Sequence, residues 1–175
     1  GRRPEKVTFA SAKEDALRRD FTINGLFYDP VADKYLDYVN GKADIESRTL
    51  RFIGKPHQRI HEDYLRVLRA VRFKVTLQFR YSTGVKESIQ RHAHRINTVS
   101  AERVRTELNK ILASEYRHQG IEALSEVGLL HYILPEVDAC KSIPQPYQFH
   151  QEGDVYNHIL LALKYLPVHS HLYLV

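Results

Sequence analysis

The stretch His61–Lys74, HEDYLRVLRAVRFK, carries two helical patterns side by side. Apolar residues recur at spacings of three and four, as on one buried face of an α-helix; they are Leu65, Leu68, Val71 and Val75. Charged residues recur every three positions on a neighbouring stripe, namely Asp63, Arg66, Arg69 and Arg72. The sequence therefore predicts a helix from His61 to Leu77 with one carboxylate and three guanidinium groups on the same side.

This charged stripe admits two interpretations. Three arginines on one face repel one another unless an anion or a hydrogen-bonding group lies among them. A nucleotide provides both, because its phosphates suit the arginines and its base edge suits an Asp/Arg pair. The alternative is an ordinary ion pair between Asp63 and Arg66 on a solvated helix face, which is a common pattern. Spacing alone leaves both interpretations open.

The composition is that of a folded protein. The chain has 175 residues, of which 43% are hydrophobic and 27% charged, enough for one domain or two small ones. The single cysteine, Cys140, excludes an internal disulfide framework and fits a reducing, cytoplasmic environment. No apolar run approaches the roughly 20 residues of a membrane span, so no membrane partner is expected. Because the sequence contains no methionine, we expect an internal piece of a longer protein.

The positive charge is concentrated in the middle of the chain. Residues 59–110 contain nine Arg and three Lys against five acidic residues, which gives +7 there in a chain whose total is +5. A basic middle favours a polyanionic partner, most simply a nucleic acid. The alternative is a basic surface without a specific ligand.

The first sixty residues predict a small α/β unit. Strand patterns at residues 7–10, 26–28, 35–39 and 49–53 are separated by turns. Ser11 and Glu14 form a capping box before a helix that runs to about Arg19. Asp20 and Asn24 follow, and an aspartate can accept from a ribose hydroxyl while Arg19 holds a phosphate or fixes Asp20. Spacing alone favours the simpler alternative, a charged helix end followed by a turn.

The chain after Gly54 reads as an all-α layer, and no further strand is expected. The predicted helices cover residues 61–77, 83–96, 100–113, 116–127 and 154–166. Ser100 is expected to cap the third of these helices, and Gly128 marks the end of the fourth.

Four blocks, taken together and in order, resemble class II nucleotidyltransferases: bacterial tRNA CCA-adding enzymes, A-adding enzymes and bacterial poly(A) polymerases. The blocks are Glu14–Gly25 (EDALRRDFTING), Asp37–Gly54 (DYVNGKADIESRTLRFIG), His61–Phe73 (HEDYLRVLRAVRF) and Ser100–Leu112 (SAERVRTELNKIL). The resemblance implies an α+β fold in which the C-terminal part of a small nucleotidyltransferase sheet domain precedes an all-α neck and body. We expect the head to cover residues 1–58, the neck and body 59–140, and a linker with the start of another helical domain 141–175.

The resemblance also implies a role for each matching position. Arg19 and Asp20 match the block that selects a ribonucleotide through its 2′-hydroxyl, and Asn24 lies in the same block. Asp63 and Arg66 match the pair that acts as a protein template for the incoming base. Further positions match the lining of the nucleotide pocket (Arg69, Arg72), the neck helix that braces the template (Glu102, Arg103, Glu107) and a springy element between head and neck (Asp37, Gly41, Asp44).

The implied template is chemically consistent. Cytosine and adenine both present an exocyclic amine beside a ring-nitrogen acceptor, so an aspartate can accept from the amine while an arginine donates to the ring nitrogen. Uracil and guanine place a carbonyl where the amine should be. A site built on buried hydrogen bonds rejects such a mismatch strongly.

The chain departs from the family pattern at three points. Tyr64 stands where Pro is usual, and Gly25 stands where Ala is common. The metal-binding DxD of the family lies upstream of the ribose block, and no acid in this sequence stands in it. Because phosphoryl transfer needs those carboxylates to hold Mg²⁺, we expect this piece to contain no catalytic residue and to be inactive by itself.

The tail from Phe149 to His158, FHQEGDVYNH, resembles the start of an HD phosphohydrolase-type domain. His158 would be its first metal ligand, although a single histidine on a helix is more often a surface or core residue.

The resemblance implies template-independent addition of CMP and AMP to the 3′ end of tRNA, with ATP and CTP as substrates. The alternatives are a poly(A) polymerase acting on another RNA, a non-catalytic RNA-binding module, and a phosphohydrolase built on the tail. The sequence does not separate CCA-adding from A-adding or poly(A) activity, and it does not fix the oligomeric state.

Overall fold

The computed structural model describes residues 11–146, 148 and 153–167. The helices in this part are α1 (Ala12–Arg18), α2 (Gly41–Glu46), α3 (Pro56–Glu62), α4 (Leu65–Thr76), α5 (Val85–His92), α6 (Ala101–Leu112), α7 (Arg117–Glu126), α8 (Leu130–Ile133), α9 (Pro135–Ala139) and α10 (Val155–Tyr165). Short 3₁₀ helices cover Thr22–Asn24 and Ala93–Thr98. The strands are β1 (Leu26–Asp29), β2 (Lys34–Asp37), β3 (Thr49–Leu50) and β4 (Arg80–Tyr81). The α+β class expected from the sequence is confirmed.

Local sequence signals account for the N-terminal part. The Ser11 hydroxyl accepts the Glu14 N–H and the Glu14 carboxylate accepts the Ser11 N–H, so the predicted capping box starts α1. Strands β1 and β2 form an antiparallel hairpin that runs from the Leu26–Asp37 pair to the Asp29–Lys34 pair. The strand predicted at residues 7–10 lies outside the described residues.

Gly41 allows the hairpin to dock against the segment that follows α1. A Cβ atom at this position would lie 2.3 Å from the Thr22 carbonyl oxygen, so no larger residue fits without movement of the backbone. The Asp37 carboxylate accepts the N–H groups of Val39, Gly41 and Lys42, and buried Asp44 accepts from the Thr22 hydroxyl at 2.7 Å. The hairpin and α2 are therefore held firmly beside residues 20–24.

The prediction of one helix starting at His61 is wrong, because the structure has two helices there, α3 and α4. His61 belongs to α3, the backbone becomes extended at Asp63 (φ −154°, ψ 107°), and α4 starts only at Leu65. The Asp63 carboxylate accepts the Leu65 N–H at 3.1 Å, which is the way a short polar side chain interrupts one helix and opens the next. Asp63 therefore precedes the charged stripe of α4 instead of lying on it.

The expectation of no strand after Gly54 is also wrong. Strand β4 pairs in parallel with β3, with Thr49 opposite Arg80 and Leu50 opposite Tyr81. Two residues are too few for a period-2 pattern to be visible in the sequence.

One hydrophobic core joins the two halves of the described chain. It extends from Phe21 to Leu163 and contains the apolar face of α4. Helix α4 packs against α6 and α7, while Phe21 contacts Phe52 with ring centroids 4.6 Å apart and Phe73 with centroids 5.4 Å apart. This aromatic contact fixes residues 19–24 against α4. The predicted boundaries of the head, the neck and body, and the tail, at residues 58 and 140, stay predictions. Residue 58 falls within α3.

None of the helices in residues 11–146, 148 and 153–167 has the length and apolarity that crossing a membrane requires.

Candidate functional site

A cleft of about 480 Å³ opens where the segment after α1 faces the start of α4. Its lining consists of Arg19, Asp20, Asn24, Asp63, Arg66, Arg69 and Phe73. We call Arg19, Asp20 and Asn24 the α1 wall, and Asp63 with Arg66 the α4 wall. The sequence had singled out all of these lining residues except Phe73, and the volume lies in the range of small-molecule sites.

The α1 wall is built around a buried carboxylate. Asp20 is 8% exposed and accepts from the Phe21 N–H and the Asn24 amide at 2.9 Å each, and from Arg69 Nε at 2.7 Å. Burial by itself raises the pKa of Asp20, but the hydrogen bonds from Asn24, Arg69 and Phe21 outweigh burial and hold the pKa below its ordinary value. Asp20 is therefore a fixed anion in the wall of the cleft.

Arg19 does not fix Asp20, which was one of its two suggested roles. Its guanidinium donates to Asp15 at 2.9 Å and to the Asn24 carbonyl at 3.1 Å, and it lies 5.0 Å from the centroid of the Phe27 ring. The side chain is 44% exposed, so its charge faces the cleft and the solvent together. This position suits a phosphate contact.

The two residues of the α4 wall take different partners. Asp63 accepts from Arg103 Nη2 at 2.7 Å, while Arg66 Nη1 donates to Glu62 at 2.7 Å and to the Arg59 carbonyl at 2.6 Å. The ion pair between Asp63 and Arg66 that the sequence offered as an alternative is thus not how these residues are satisfied. Both side chains line the cleft, with a carboxylate acceptor beside a guanidinium donor.

Glu107 of α6 lies behind the cleft and anchors it. It is 4% exposed and accepts from Arg72 Nε at 2.6 Å, Lys110 at 2.9 Å and Arg69 Nη1 at 3.5 Å. Burial raises the pKa of Glu107, but the bonds from Lys110 and Arg72 together with the charge of Arg69 outweigh it, so the pKa is lowered. Since Arg69 also holds Asp20, a continuous ionic path joins the α1 wall to α6.

Two other predicted site residues lie away from the cleft. Arg72 is not among its lining residues, because its guanidinium turns to Glu107 and stacks 3.8 Å from the Phe73 ring centroid. Glu102 is exposed at the start of α6, beside a separate hollow that Arg103 and Glu107 also line. The predicted neck support thus contacts the cleft residues through Arg103 and Glu107.

Sequence reasoning missed Glu62, Arg59 and Phe73. Glu62 accepts from Arg59 at 2.5 Å and from Arg66, so it stands between two arginines of α3 and α4. The spacings of three and four residues from Glu62 to these arginines were visible in the sequence. Phe73 carries no comparable signal, because an aromatic residue on a helix is usually part of the core.

The acids of the cleft do not fit a metal site. Asp20 and Asp63 are each committed to protein donors, and the described residues contain no group of three or more His, Cys, Asp or Glu side chains arranged to hold a metal ion. His158 lies in the first turn of α10, whose N-cap is Asp154, and its role as a metal ligand stays a prediction. Residues 149–152 of the tail pattern lie outside the described residues.

The chemistry of the cleft lining suits a polar, anionic ligand. Three cationic side chains face two carboxylates, so the net charge favours an anionic ligand. The carboxylates and guanidiniums supply acceptors and donors in adjacent positions, while Phe73 supplies an aromatic surface. A nucleotide carries the matching parts: phosphates, a sugar hydroxyl and a polar base edge.

Comparison with known proteins gives two family matches. Residues 1–51 match the family described as "Poly A polymerase head domain", and residues 78–141 match the family described as "Probable RNA and SrmB- binding site of polymerase A". The chain is 34% identical to a CCA-adding enzyme of Bacillus licheniformis, in a gapped alignment of 181 positions that covers 99% of this chain and 45% of that protein. The chain thus spans less than half the length of the curated relatives it matches.

Solved structures of CCA-adding enzymes are also similar to this chain. A CCA-adding enzyme of Bacillus stearothermophilus in complex with CTP is 33% identical, with a TM-score of 0.66 over 69% of this chain and 30% of that one. A Thermotoga maritima CCA-adding enzyme complexed with tRNA is 25% identical, with a TM-score of 0.64 over 71% of this chain and 31% of that one.

Proposed function

We propose, from the premise that the chain belongs to the family of CCA-adding enzymes and poly(A) polymerases, that it selects the nucleotide in template-independent addition of CMP and AMP to the 3′ end of tRNA. The observation that carries the proposal is the single cleft in which Arg19, Asp20 and Asn24 face Asp63 and Arg66. In this proposal the α1 wall binds the ribose and phosphates of CTP or ATP, and the α4 wall reads the base.

The chemistry of the α4 wall supports selection of cytosine and adenine. Asp63 accepts from the exocyclic amine, and Arg66 donates to the adjacent ring nitrogen. Uracil and guanine would place a carbonyl oxygen against the carboxylate, so two acceptors would face each other without a donor, which is unfavourable. Arg103 already donates to one Asp63 oxygen at 2.7 Å, so it orients the carboxylate for this role.

The α1 wall supports selection of a ribonucleotide. Asp20 is held as an anion by three donors, and a carboxylate oxygen has more than one lone pair with which to accept from a 2′-hydroxyl. A deoxynucleotide lacks this donor. Arg19, which is half exposed beside Asp20, supplies a cation for the phosphates.

The reaction itself needs groups that the described residues do not provide. Mg²⁺ would supply charge stabilisation between the nucleotide phosphates and the RNA 3′-hydroxyl, but Asp20 and Asp63 are engaged as described and do not form a metal-ligand set. We therefore assign this chain nucleotide selection and the neck, in an enzyme acting on tRNA in the cytoplasm. Its catalytic carboxylates belong to other residues of the whole protein.

Poly(A) synthesis is the second candidate, because both matching family descriptions refer to poly(A) polymerase. The two activities share the same nucleotide chemistry for adenine. They differ in the product, which is a defined CCA or A end in one case and a long adenosine tail in the other.

The test uses the full natural protein that contains this chain, assayed with CTP, ATP and tRNA lacking its 3′ end. We expect incorporation of C and A but not of U or G. Asp63→Ala should reduce incorporation and relax base choice. Asp138→Ala is the matched control, because Asp138 is a partly buried acid that pairs with Lys141 at 2.5 Å and His131 at 3.3 Å outside the cleft.

Three results would contradict the proposal in different ways. Unchanged base choice and rate in Asp63→Ala would remove the template role. Long adenosine tails would identify the second candidate. Salt-dependent binding of tRNA without any nucleotide affinity would indicate a non-catalytic RNA-binding module.

A further inference from the structure

Arg59 connects the two walls of the cleft without lining it. Its Nη2 donates to the carbonyl oxygens of Arg18 at 2.7 Å and Arg19 at 2.6 Å, immediately before Asp20 in the chain. Its Nη1 donates to Glu62 at 2.5 Å. The other side of Arg59 faces the α4 wall, because its own carbonyl oxygen accepts from Arg66 Nη1 at 2.6 Å.

Arg66 is held by Arg59 through two routes. One is the direct bond to the Arg59 carbonyl, and the other passes through Glu62, whose Oε2 atom accepts from both guanidiniums. The side chains of Arg59 and Arg66 are 14% and 15% exposed, while the Glu62 side chain that joins them is 49% exposed. The Arg59 side chain therefore reaches the donor of the α4 wall through Glu62, and the Arg59 backbone reaches it directly.

The α1 end of this contact depends on the shape of arginine. The carbonyls of Arg18 and Arg19 lie at the C-terminal end of α1, where a cation is favoured by the helix dipole. The planar guanidinium reaches both carbonyls and the Glu62 carboxylate at once, while a lysine ammonium is a single point charge. Arg59 Nε is buried without a hydrogen-bond partner among the described residues.

We propose, resting on the function proposed above, that Arg59 is a positioning residue that couples ribose selection to base selection. It fixes the distance between the backbone that presents Arg19 and Asp20 and the guanidinium of Arg66. A nucleotide bound in the cleft spans both walls, so its sugar and base can be accepted together only when the walls are in register. Loss of the Arg59 side chain relaxes both selections, whereas loss of a wall residue, or of Glu62 at the α4 end of the contact, relaxes one.

Arg59→Lys in the full natural protein tests the coupling. The quantities measured are the CTP-to-UTP and CTP-to-dCTP ratios of kcat/KM. Since a hydrogen bond to a charged group contributes on the order of tenfold to an equilibrium, we expect both ratios to fall about tenfold. Asp63→Ala should reduce only the base ratio. Glu62→Gln should do the same, because it weakens the route to Arg66 and leaves the carbonyl contacts of Arg59 in place.

Arg117→Lys is the matched control. Arg117 is 2% exposed and also donates to main-chain carbonyls, those of Ser114 at 3.0 Å and Pro167 at 3.3 Å, but it does not line the cleft. Its substitution should lower the melting temperature and leave both ratios unchanged. This pattern separates a positioning role from a purely structural one. Arg59→Met, which removes the charge as well, should reduce both ratios further if it folds.

The outcomes separate the two proposals. A wild-type protein that shows neither ratio above one would overturn the proposed function itself. A wild-type protein that discriminates on both counts, with Arg59→Lys keeping both ratios or losing only one, would leave the proposed function standing and overturn the coupling.

Discussion

The two walls of the cleft satisfy their carboxylates in opposite ways. Asp20 in the α1 wall is 8% exposed, and its partners include Arg69, which is itself tied to buried Glu107. The Asp63 side chain in the α4 wall is 31% exposed, and its ion-pair partner Arg103 is 51% exposed. One carboxylate is locked in a partly desolvated network, while the other is held by a partner at the surface.

This difference matches what each wall is proposed to bind. CTP and ATP share the same ribose and phosphates, so a rigid α1 wall serves both. Their bases differ in size, so the wall that reads them has to adjust. Exposed ion pairs contribute little to stability and exchange partners easily, and the pairs Asp63–Arg103 and Arg66–Glu62 both involve a half-exposed side chain. The structure thus combines a buried carboxylate in the α1 wall with a partly exposed one in the α4 wall.

Removing Glu107 should have the largest effect on stability. Glu107→Ala leaves the guanidiniums of Arg69 and Arg72 without their buried carboxylate, and breaking a buried pair costs about 3 kcal/mol or more. Urea denaturation should show this loss. Glu102→Ala, an exposed glutamate on the same helix, is the control and should unfold like the wild type. If the two variants have equal stability, the α1 wall does not rest on a buried network.

The sequence predicted the members of this network but not their partners. Periodicity placed Arg69 and Arg72 on one side of a helix, the chemistry of its own block suggested Asp20, and the resemblance added Glu107. The bond from Arg72 to Glu107 joins residues 35 positions apart, and the bond from Arg69 to Asp20 joins residues 49 apart. Such pairings are decided by how α4 packs on α6 and on Phe21, which no local pattern records.

Two errors of the sequence analysis have a similar origin. The helix break at Asp63 went unnoticed because apolar residues continue at helical spacing across it, although an Asp just before an apolar run is a helix-start signal. Strand β4 has no local signal because its hydrogen bonds go to a segment distant in sequence. The Arg80 N–H donates to the Arg48 carbonyl and the Ser82 N–H to the Leu50 carbonyl. Short parallel pairs of this kind depend on tertiary contacts.

Neutralising Asp20 should have the second largest effect. Asp20→Asn removes the anion that accepts from Arg69, and a hydrogen bond to a charged group contributes roughly 2 kcal/mol. The pKa of Asp20 lies below its usual 3.8 in the folded protein. The anion therefore stabilises the fold above that pH, and this contribution disappears as the pH falls through and below it. The free energy of unfolding, measured in urea from neutral to strongly acidic pH, should fall less in Asp20→Asn than in the wild type.

Arg103→Ala should affect the α4 wall alone. The pair with Asp63 is exposed, so the free energy of unfolding should change by about 1 kcal/mol or less. Asp63 would lose the donor that orients it, and preference for CTP over UTP should fall while preference for CTP over dCTP stays the same. Equilibrium binding of the three nucleotides measures both preferences. A drop in the second preference would mean that the walls differ less than their exposures indicate.

Mild acid should weaken the contact between α3 and α5, and this is the smallest effect expected. His92 Nε2 of α5 lies 2.6 Å from His57 Nδ1 of α3, within hydrogen-bond distance. Helix α3 is also the helix that carries Glu62. Burial, followed by the charges of His57 and Arg91, lowers the pKa of His92 from its usual 6.5.

The folded state therefore favours neutral His92. As the pH falls through 6.5 the unfolded chain takes up the proton first, and stability is lost. Between about pH 7.5 and about pH 5.5 the loss should be below roughly 1 kcal/mol, and His92→Gln should reduce it because glutamine does not titrate. Chemical denaturation at the two pH values measures the difference. Asp20, with its pKa below 3.8, stays ionised throughout this range, so the α1 wall itself does not titrate. Because α3 carries both Arg59 and Glu62, both preferences should weaken together, and a loss of the base preference alone would show that α3 acts only on the α4 wall.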